Sequence, residues 1–414
     1  MTIAAFPEVL ETRQSSRAPR PRKDGQMGLD RQAVFGIADQ IRDRARETDL
    51  NGRFPVENLE LLRRSGFMGA LVGKAYGGLG WSLGDFSWAA RTIGAACMST
   101  GLIWAMHCQQ ADTIARLGEP RLIEHLLPRI ARGQVYIASV TTEPGTGARL
   151  QSAQAALIEK DDGYKFERHA PVVTGGMNAD GFLLTLRSHP EAGPGEVRLV
   201  YADRDQLSIE PRAQWSTLGM RGTASGGLYI EGAVDQSAVI AGDRDFGEIA
   251  AETIIPVAHV AWAACWLGAA SGAFAQLVAW LRDPGRRGGP DVSSDLTRYQ
   301  LAQIRARLEA VGGYLKLAVD KVESARCEDI ATLRDAPARI HFNTLKLLAS
   351  ELTFDAVNHM VEVAGMAVGY TEDSQVPLAR SLRDLRSASL THANNRLWSD
   401  TGGLALMDRK VTLL

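Results

Sequence analysis

The first third of the chain places its apolar residues every three or four positions. Val34, Ile37 and Ile41 recur at this spacing, which puts them on one face of a helix. Longer helical patterns run over residues 84–115 and 119–132. We therefore predict that the N-terminal part of the protein is helical.

The apolar pattern then shortens. Between residues 135 and 231 the chain contains brief β-branched runs, separated by turns with Gly and Pro and without helical segments between them. Several short strands at close spacing are typical of an antiparallel sandwich or a small barrel. The predicted strands cover residues 135–142, 155–160, 164–168, 182–187, 197–202 and 227–231.

The helical spacing returns in the last 170 or so residues and is at its most regular there. Two long stripes repeat at intervals of three and four, over residues 301–322 and 345–363. An Ala- and Gly-rich segment at 261–273 and a last helix near 377–399 accompany them. Four such helices in sequence predict a four-helix bundle.

Together these patterns predict an α+β fold in three parts. We expect an N-terminal α-helical domain over residues 28–134, a middle antiparallel β-barrel or sandwich over 135–244, and a C-terminal four-helix bundle over 245–414. Residues 1–27 mix Pro, Arg, Ser and Lys without apolar periodicity, which predicts a disordered tail.

Composition excludes some classes of function. The 46 basic and 48 acidic side chains give a net charge of −2, so we expect no nucleic-acid partner. We also expect no membrane segment, because the apolar runs are interrupted by Gly, His or charge. The four cysteines form no CxxC pair and have no histidine at metal-ligand spacing, which favours free thiols, no metal site and a cytoplasmic location.

Four short motifs carry more information than composition. One of them is a Gly-rich turn at residues 142–147, which follows a predicted strand. Such a turn can aim backbone N–H groups at a phosphate, although it also closes ordinary hairpins. The four motifs are YGGLG at 76–80, TEPGTG at 142–147, VVT at 172–174 and the Arg383-Asp384 pair. In their order and spacing they resemble the acyl-CoA dehydrogenase superfamily, from about residue 30 onward.

The resemblance implies a flavin-dependent enzyme with FAD between the β-domain and the bundle. By similarity, Thr142 would bond the pyrimidine side of the flavin and Thr174 would lie near its N5 edge, with Val140 and Gly147 in the cradle. Val172 stands where the family usually has a flavin-shielding tryptophan. The remaining cofactor contact that the resemblance implies is Arg286, in the loop that grips FAD across subunits of a homotetramer or homodimer.

The family's catalytic glutamate is missing from its usual place. It commonly follows the arginine of the arginine–aspartate pair by nine residues, and here that position is His392. No acidic residue lies between 385 and 398. An imidazole titrates near pH ~6.5 and can exchange protons at neutral pH, so His392 is a candidate base. A capping or core histidine is the alternative.

Flavin monooxygenases of the same fold offer a second comparison. They place one histidine late in the bundle and often another in the N-terminal helices, for which His107 is the candidate. Ser139, just before the flavin turn, could bond the flavin or the substrate, and His259 lies where dehydrogenases place a substrate-pocket arginine. In that branch FMN can replace FAD, and the reactive species is a flavin C4a-peroxide.

These observations leave three hypotheses. We favour a specialised oxidation, monooxygenase- or oxidase-like, of a small-molecule or carrier-bound substrate, with a flavin reductase as the expected partner. The second is α,β-desaturation of an acyl-CoA or other acyl thioester by a different base, with electron-transfer flavoprotein as the acceptor. The third is a flavin-less binding or assembly protein. One fold can host all three functions.

Overall fold

The computed structural model describes residues 29–145 and 149–413. The predicted disordered tail, residues 1–27, lies outside these residues, and so does Gly147. Within the described part, helices, then strands, then helices follow one another along the chain, so the predicted α+β fold is confirmed.

From residue 29 onward, where the described part begins, five α-helices precede the first strand. The first begins after Asp30, whose carboxylate accepts hydrogen bonds from two backbone N–H groups, and ends at Gly52 in the left-handed conformation. The single helix predicted over 84–115 is wrong, because Cys97 adopts an extended conformation and divides it. The five helices are α1 (Arg31–Asn51), α2 (Val56–Arg64), α3 (Leu83–Ala96), α4 (Met98–Leu117) and α5 (Pro120–Ala131).

The middle of the chain forms two four-stranded sheets rather than one closed barrel. Their members are β1 (Ile137–Val140), β2 (Ile158–Lys160), β3 (Gly163–Ala170), β4 (Gly181–Arg187), β5 (Val197–Asp203), β6 (Leu207–Ala213), β7 (Gly227–Asp235) and β8 (Val239–Ile240).

The first sheet has the order β1-β4-β5-β8 and the second β2-β3-β7-β6. The prediction of a wholly antiparallel domain is wrong for β1, which pairs with β4 in parallel, and for the isolated parallel bridge between Ala156 and Arg187. The sequence patterns also missed β6 and β8: β6 is largely exposed and contains Pro211, and β8 has only two residues. Strand β1 lies at the edge of its sheet, with one side free of strand pairing among the described residues.

Over residues 246–413 the C-terminal part contains three long α-helices and three shorter ones. The last helix, predicted over 377–399, is interrupted by a turn at residues 387–393, which we call the His392 turn. His392 has a φ of 48°, which an α-helix does not allow, so the helix cannot continue through it. The helices are α6 (Phe246–Ile249), α7 (Ile255–Arg282), α8 (Asp295–Cys327), α9 (Ala336–Gly365), α10 (Leu378–Arg386) and α11 (Asn394–Ala405), with a π-helical turn at Ala250–Ile254.

Helix α7 is the centre of the core. The helical stretch Phe246–Arg282 has a window with a mean hydropathy of 1.5, long and apolar enough by composition alone to cross a membrane. The prediction that no such run exists is therefore wrong. In the structure 89% of that window is buried, chiefly against α3, α4, α8 and α9. An apolar helix of this kind is what the centre of a large bundle requires.

One cluster of contacts joins the three parts of the chain. Arg383 on α10 makes a bidentate ion pair with Asp49 on α1, at 2.7 and 3.1 Å. The neighbouring Asp384 accepts the backbone N–H of Met220, in the loop before β7, at 2.6 Å. Gly219 lies against the same turn of α10: a Cβ placed there would be 2.0 Å from the Arg383 carbonyl oxygen.

The contact at Gly219 generates a prediction on stability. Gly219→Ala forces α10 away from the loop, and overpacking of this kind costs about 2 kcal/mol of the free energy of unfolding. Gly36→Ala is the control, since its Cβ meets nothing within 4 Å and alanine favours a helix interior. Urea denaturation of both variants provides the measurement, and equal midpoints would contradict the close packing of α10 on this loop.

Candidate functional site

The turn that follows β1 is fixed by a buried carboxylate. Glu143 accepts the backbone N–H groups of Gln154 and Ala155 at 2.6 and 2.8 Å. It also forms a 2.6 Å ion pair with Arg168 on β3, whose side chain is fully buried. A buried ion pair with added hydrogen bonds holds its geometry closely, because either charge alone would be costly. The pair thus fixes the end of β1 against the second sheet.

Thr142, Val172 and Thr174 lie together beside this anchored turn. The Thr142 hydroxyl donates to the Val172 carbonyl at 3.2 Å, and both threonines are half-buried. Thr174 accepts a hydrogen bond from Ser225 at 3.1 Å, and its carbonyl accepts one from the Tyr136 hydroxyl at 2.9 Å. Val172 is 40% exposed, so it leaves an open apolar surface next to two hydroxyl groups.

The other two predicted residues on β1 differ in accessibility. Val140 is fully buried and offers a ligand no accessible atoms, whereas Ser139 is half-buried. Strand β1 lies at the edge of its sheet, but Ser139 is the one residue of the strand that is not buried. The hydroxyls of Thr142 and Thr174 and the exposed apolar side chain of Val172 fit the polar rim and apolar faces of an isoalloxazine. The described residues of the cradle therefore suit a flavin.

The His392 turn brings a second group of predicted residues together. The His392 ring is half-buried, and its centroid is 6.3 Å from that of His259 on α7. The turn is not helical, and the His392 ring faces the interior of the bundle, toward the buried His259. Burial, followed by the charge of Lys346, lowers the pKa of His392.

His259 is more deeply buried than His392. Its Nδ1–H donates to the Phe342 carbonyl at 2.9 Å, and its ring packs 5.6 Å from that of Trp262. Burial and the neighbouring His392 lower its pKa to about 3, so it is neutral at physiological pH. The substrate-contact role predicted for His259 stays a prediction. In the structure the centroid of the His259 ring lies 6.3 Å from that of His392.

The sequence reasoning missed a lysine in this cluster. Lys346 on α9 is fully buried, and its ammonium donates to the His392 carbonyl at 3.1 Å and to the side chain of Asn394. Asn394 in turn bonds Ser350 and Glu351. Burial lowers the pKa of Lys346 to about 7. Apolar spacing gave no signal for it, because Lys346 lies between two members of the stripe, Leu345 and Leu348, where a polar residue is ordinary.

His107 and Arg286 have their polar atoms occupied. The Nε2–H of His107 donates to the Met68 carbonyl and its Nδ1 accepts the Ile137 N–H, both at 3.0 Å. The ring joins α4 to β1 and is fully buried, which favours a structural role over its predicted catalytic one. Arg286 donates to the Gly288 and Pro290 carbonyls of its own loop, both at 2.8 Å. Its predicted contact with FAD stays a prediction.

Glu252 is the acidic residue that immediately precedes the first long bundle helix, α7. Glu252, in the π-helical turn before α7, is buried and paired with Arg244 at 2.7 Å and with Arg334 at 3.2 Å. Each of its two carboxylate oxygens is therefore engaged by a guanidinium group, which favours a structural role for Glu252.

Comparison with protein-family models identifies the class. The model "Acyl-CoA dehydrogenase, N-terminal domain" matches residues 30–134, and "Acyl-CoA dehydrogenase, C-terminal domain" matches residues 247–392. Together the two models cover more than half of the chain. The protein belongs to the acyl-CoA dehydrogenase family, and it is a flavin-dependent oxidoreductase whose family cofactor is FAD.

Individual relatives include both dehydrogenases and a monooxygenase. The cyclohex-1-ene-1-carbonyl-CoA dehydrogenase of Geobacter metallireducens is 23% identical over 89% of this chain and 94% of its own length. The butyryl-CoA dehydrogenase of Megasphaera elsdenii and the dibenzothiophene monooxygenase TdsC of Paenibacillus sp. A11-2 share the fold. Each structure has a TM-score of 0.79 and 19% identity, and each match covers 91% of this chain and 97% of the other.

The buried imidazole of His107 predicts a pH dependence of stability. Burial lowers its pKa to about 4, below the value of 6.5 for an exposed histidine. The folded state thus binds this proton less tightly than the unfolded state does. The resulting stability is fully present above pH ~6.5 and falls, by on the order of 3 kcal/mol, as the pH drops toward ~4.

Urea denaturation of wild type and His107→Gln at several pH values in this range tests the assignment. The variant is less stable at neutral pH, because two hydrogen bonds are perturbed, but its stability changes less steeply with pH. His189→Gln is the control, since it makes the same substitution at a histidine on the surface. Parallel curves for wild type and His107→Gln would contradict the assignment.

Proposed function

We propose that this flavin-dependent oxidoreductase carries out a specialised, oxygen-dependent oxidation of a small-molecule or carrier-bound substrate, with His392 as the side chain that exchanges or holds the reacting proton. The expected electron source is a flavin reductase. Bound flavin, FAD or FMN, would supply the two-electron chemistry and, when reduced, the reaction with oxygen. Assembly as a homotetramer or homodimer is part of the proposal.

The electrostatics around His392 carry this choice of reaction. A carboxylate base becomes neutral when it takes a proton, but an imidazole base becomes a cation. Burial lowers the pKa of His392 and, to values of about 3 and 7, those of its neighbours His259 and Lys346. The pocket therefore disfavours an additional positive charge. A neutral His392 is suited to hydrogen bonding with a reacting group, and less to accumulating a proton from a carbon acid.

The second candidate is dehydrogenation of an acyl thioester, with electron-transfer flavoprotein as acceptor. Family membership and the dehydrogenase relatives favour it, and the TEPG part of the flavin turn is anchored by Glu143. It requires His392 or another group to remove the α-proton. The third candidate, a protein that binds no flavin, is opposed by the half-buried hydroxyls of Thr142 and Thr174 beside the exposed side chain of Val172.

A two-part assay on the flavin-loaded protein separates these candidates. In the absence of oxygen, we expect a panel of acyl-CoA esters to leave the visible absorbance of the oxidised flavin unchanged. With chemically reduced flavin and isotopically labelled oxygen, we expect labelled product from a panel of small amines, aromatic heterocycles and acyl thioesters. Stoichiometric bleaching by an acyl-CoA ester would establish the dehydrogenase instead, and failure to bind FAD or FMN would leave the binding protein.

Substitution of His392 tests its role in the same assay. His392→Asn removes the titratable group but keeps the backbone, because asparagine is among the residues that accept a positive φ. We expect turnover to fall by about 10²–10⁴-fold, the usual contribution of a proton-transfer residue, with unchanged flavin affinity. His189→Asn on the surface is the control. Full turnover by His392→Asn would remove His392 from the mechanism.

A further inference from the structure

The buried lysine of the bundle has no direct role in the proposed reaction, yet it is among the most costly side chains in the core. Lys346 is 0% exposed, in the middle of α9. Transfer of an ammonium group from water into a protein interior is expensive unless its N–H groups find partners. An apolar residue would pack at this position without that cost, so the contacts of the ammonium indicate what the lysine contributes.

Those contacts converge on the His392 turn. The ammonium donates to the backbone carbonyl of His392 at 3.1 Å and to the Asn394 side chain, and it lies 5.8 Å from the centroid of the Trp266 ring. The two hydrogen bonds reach the last part of the turn and the first residue of α11. The lysine therefore joins the middle of α9 to both sides of Ala393.

The turn needs such support because the backbone conformation of His392 is unfavourable. His392 has a φ of 48°, in the left-handed region, which costs free energy for any residue with a Cβ. Asn394 strengthens the attachment, since its side chain also bonds Ser350 at 3.0 Å and Glu351 at 2.9 Å, both on α9. The orientation of the His392 ring toward His259 depends on this backbone conformation.

We propose that Lys346 is a positioning residue, whose ammonium holds the His392 turn in its left-handed conformation so that the His392 ring faces the interior of the bundle. The inference deepens the proposed function, since positioning matters to the reaction only if His392 takes part in it. Lys346 acts through His392 and does not itself contact the reacting atoms.

Lys346→Met tests this role in the full-length protein. Methionine keeps an unbranched stem and removes the donor. Loss of hydrogen bonds from a charged donor is expected to speed amide hydrogen exchange in a peptide covering residues 387–394 by about tenfold or more. Lys316→Met on α8 is the matched control, because that lysine is 75% exposed and pairs only with the next turn of its own helix. Exchange equal to wild type in both variants would overturn the proposal.

A second measurement separates positioning from a general loss of stability. Diethyl pyrocarbonate modifies neutral imidazoles, so its rate at His392 as a function of pH, followed by peptide mass spectrometry, reports the pKa of that ring. The charge of Lys346 helps lower this pKa, so Lys346→Met should shift the reactivity profile of His392 toward higher pH. Lys316→Met should leave it unchanged. An unmoved profile in Lys346→Met would contradict direct coupling of the two residues.

A neutral donor keeps the test decisive if Lys346→Met does not fold. Lys346→Gln removes the charge but retains N–H groups. We therefore expect the reactivity profile of His392 to shift toward higher pH, as in Lys346→Met. We expect the amide hydrogen exchange rate of residues 387–394 to lie between those of wild type and Lys346→Met. Neither readout depends on turnover. Full turnover by His392→Asn would end the catalytic proposal and leave this positioning result intact, whereas unchanged exchange and pH profile would end the Lys346 proposal alone.

Discussion

The ion pair between Arg383 and Asp49 is the contact on which the arrangement of the site depends. It joins the first helix of the chain to α10, and the adjacent Asp384 fixes the loop before β7 through the Met220 N–H. The two carboxylates and the guanidinium are largely removed from water, where each would be costly without its partners. The His392 turn begins at the residue that follows α10. The cluster therefore sets the position of this turn relative to Thr142 and Thr174, beside the end of β1.

Beyond that cluster, the site is governed by a shortage of negative charge. The interior face between α7, α9 and the His392 turn contains two imidazoles and an ammonium, and Glu351 is the acidic side chain bonded into the network. Burial away from water favours the neutral form of each of these three basic groups. The pocket thus offers hydrogen-bonding nitrogen atoms rather than a charged base, which is a different chemical environment from one built around a carboxylate.

Much of the architecture could be predicted from apolar spacing, because three-four and β-branched patterns report burial directly. The patterns failed where backbone conformation decided the outcome: at Cys97, at the turn near His392 and at the exposed strand β6. Motif order indicated the correct family and placed Thr142 and Thr174 beside each other. Contacts between segments far apart in the sequence could not be predicted from it. The hydrogen bonds of His107 and the burial of Lys346 are therefore known only from the structure.

The backbone of residue 392 also limits which chemistry a mutation can introduce there. Few side chains accept a positive φ readily, and histidine, asparagine and aspartate are among them, whereas glutamate is not favoured. Exchange of the imidazole for the longer carboxylate would therefore ask the loop to rebuild its backbone, including the attachment of Asn394 to α9. A glutamate at residue 392 is consequently to be introduced by redesign of the whole turn at residues 387–393, not by a single substitution.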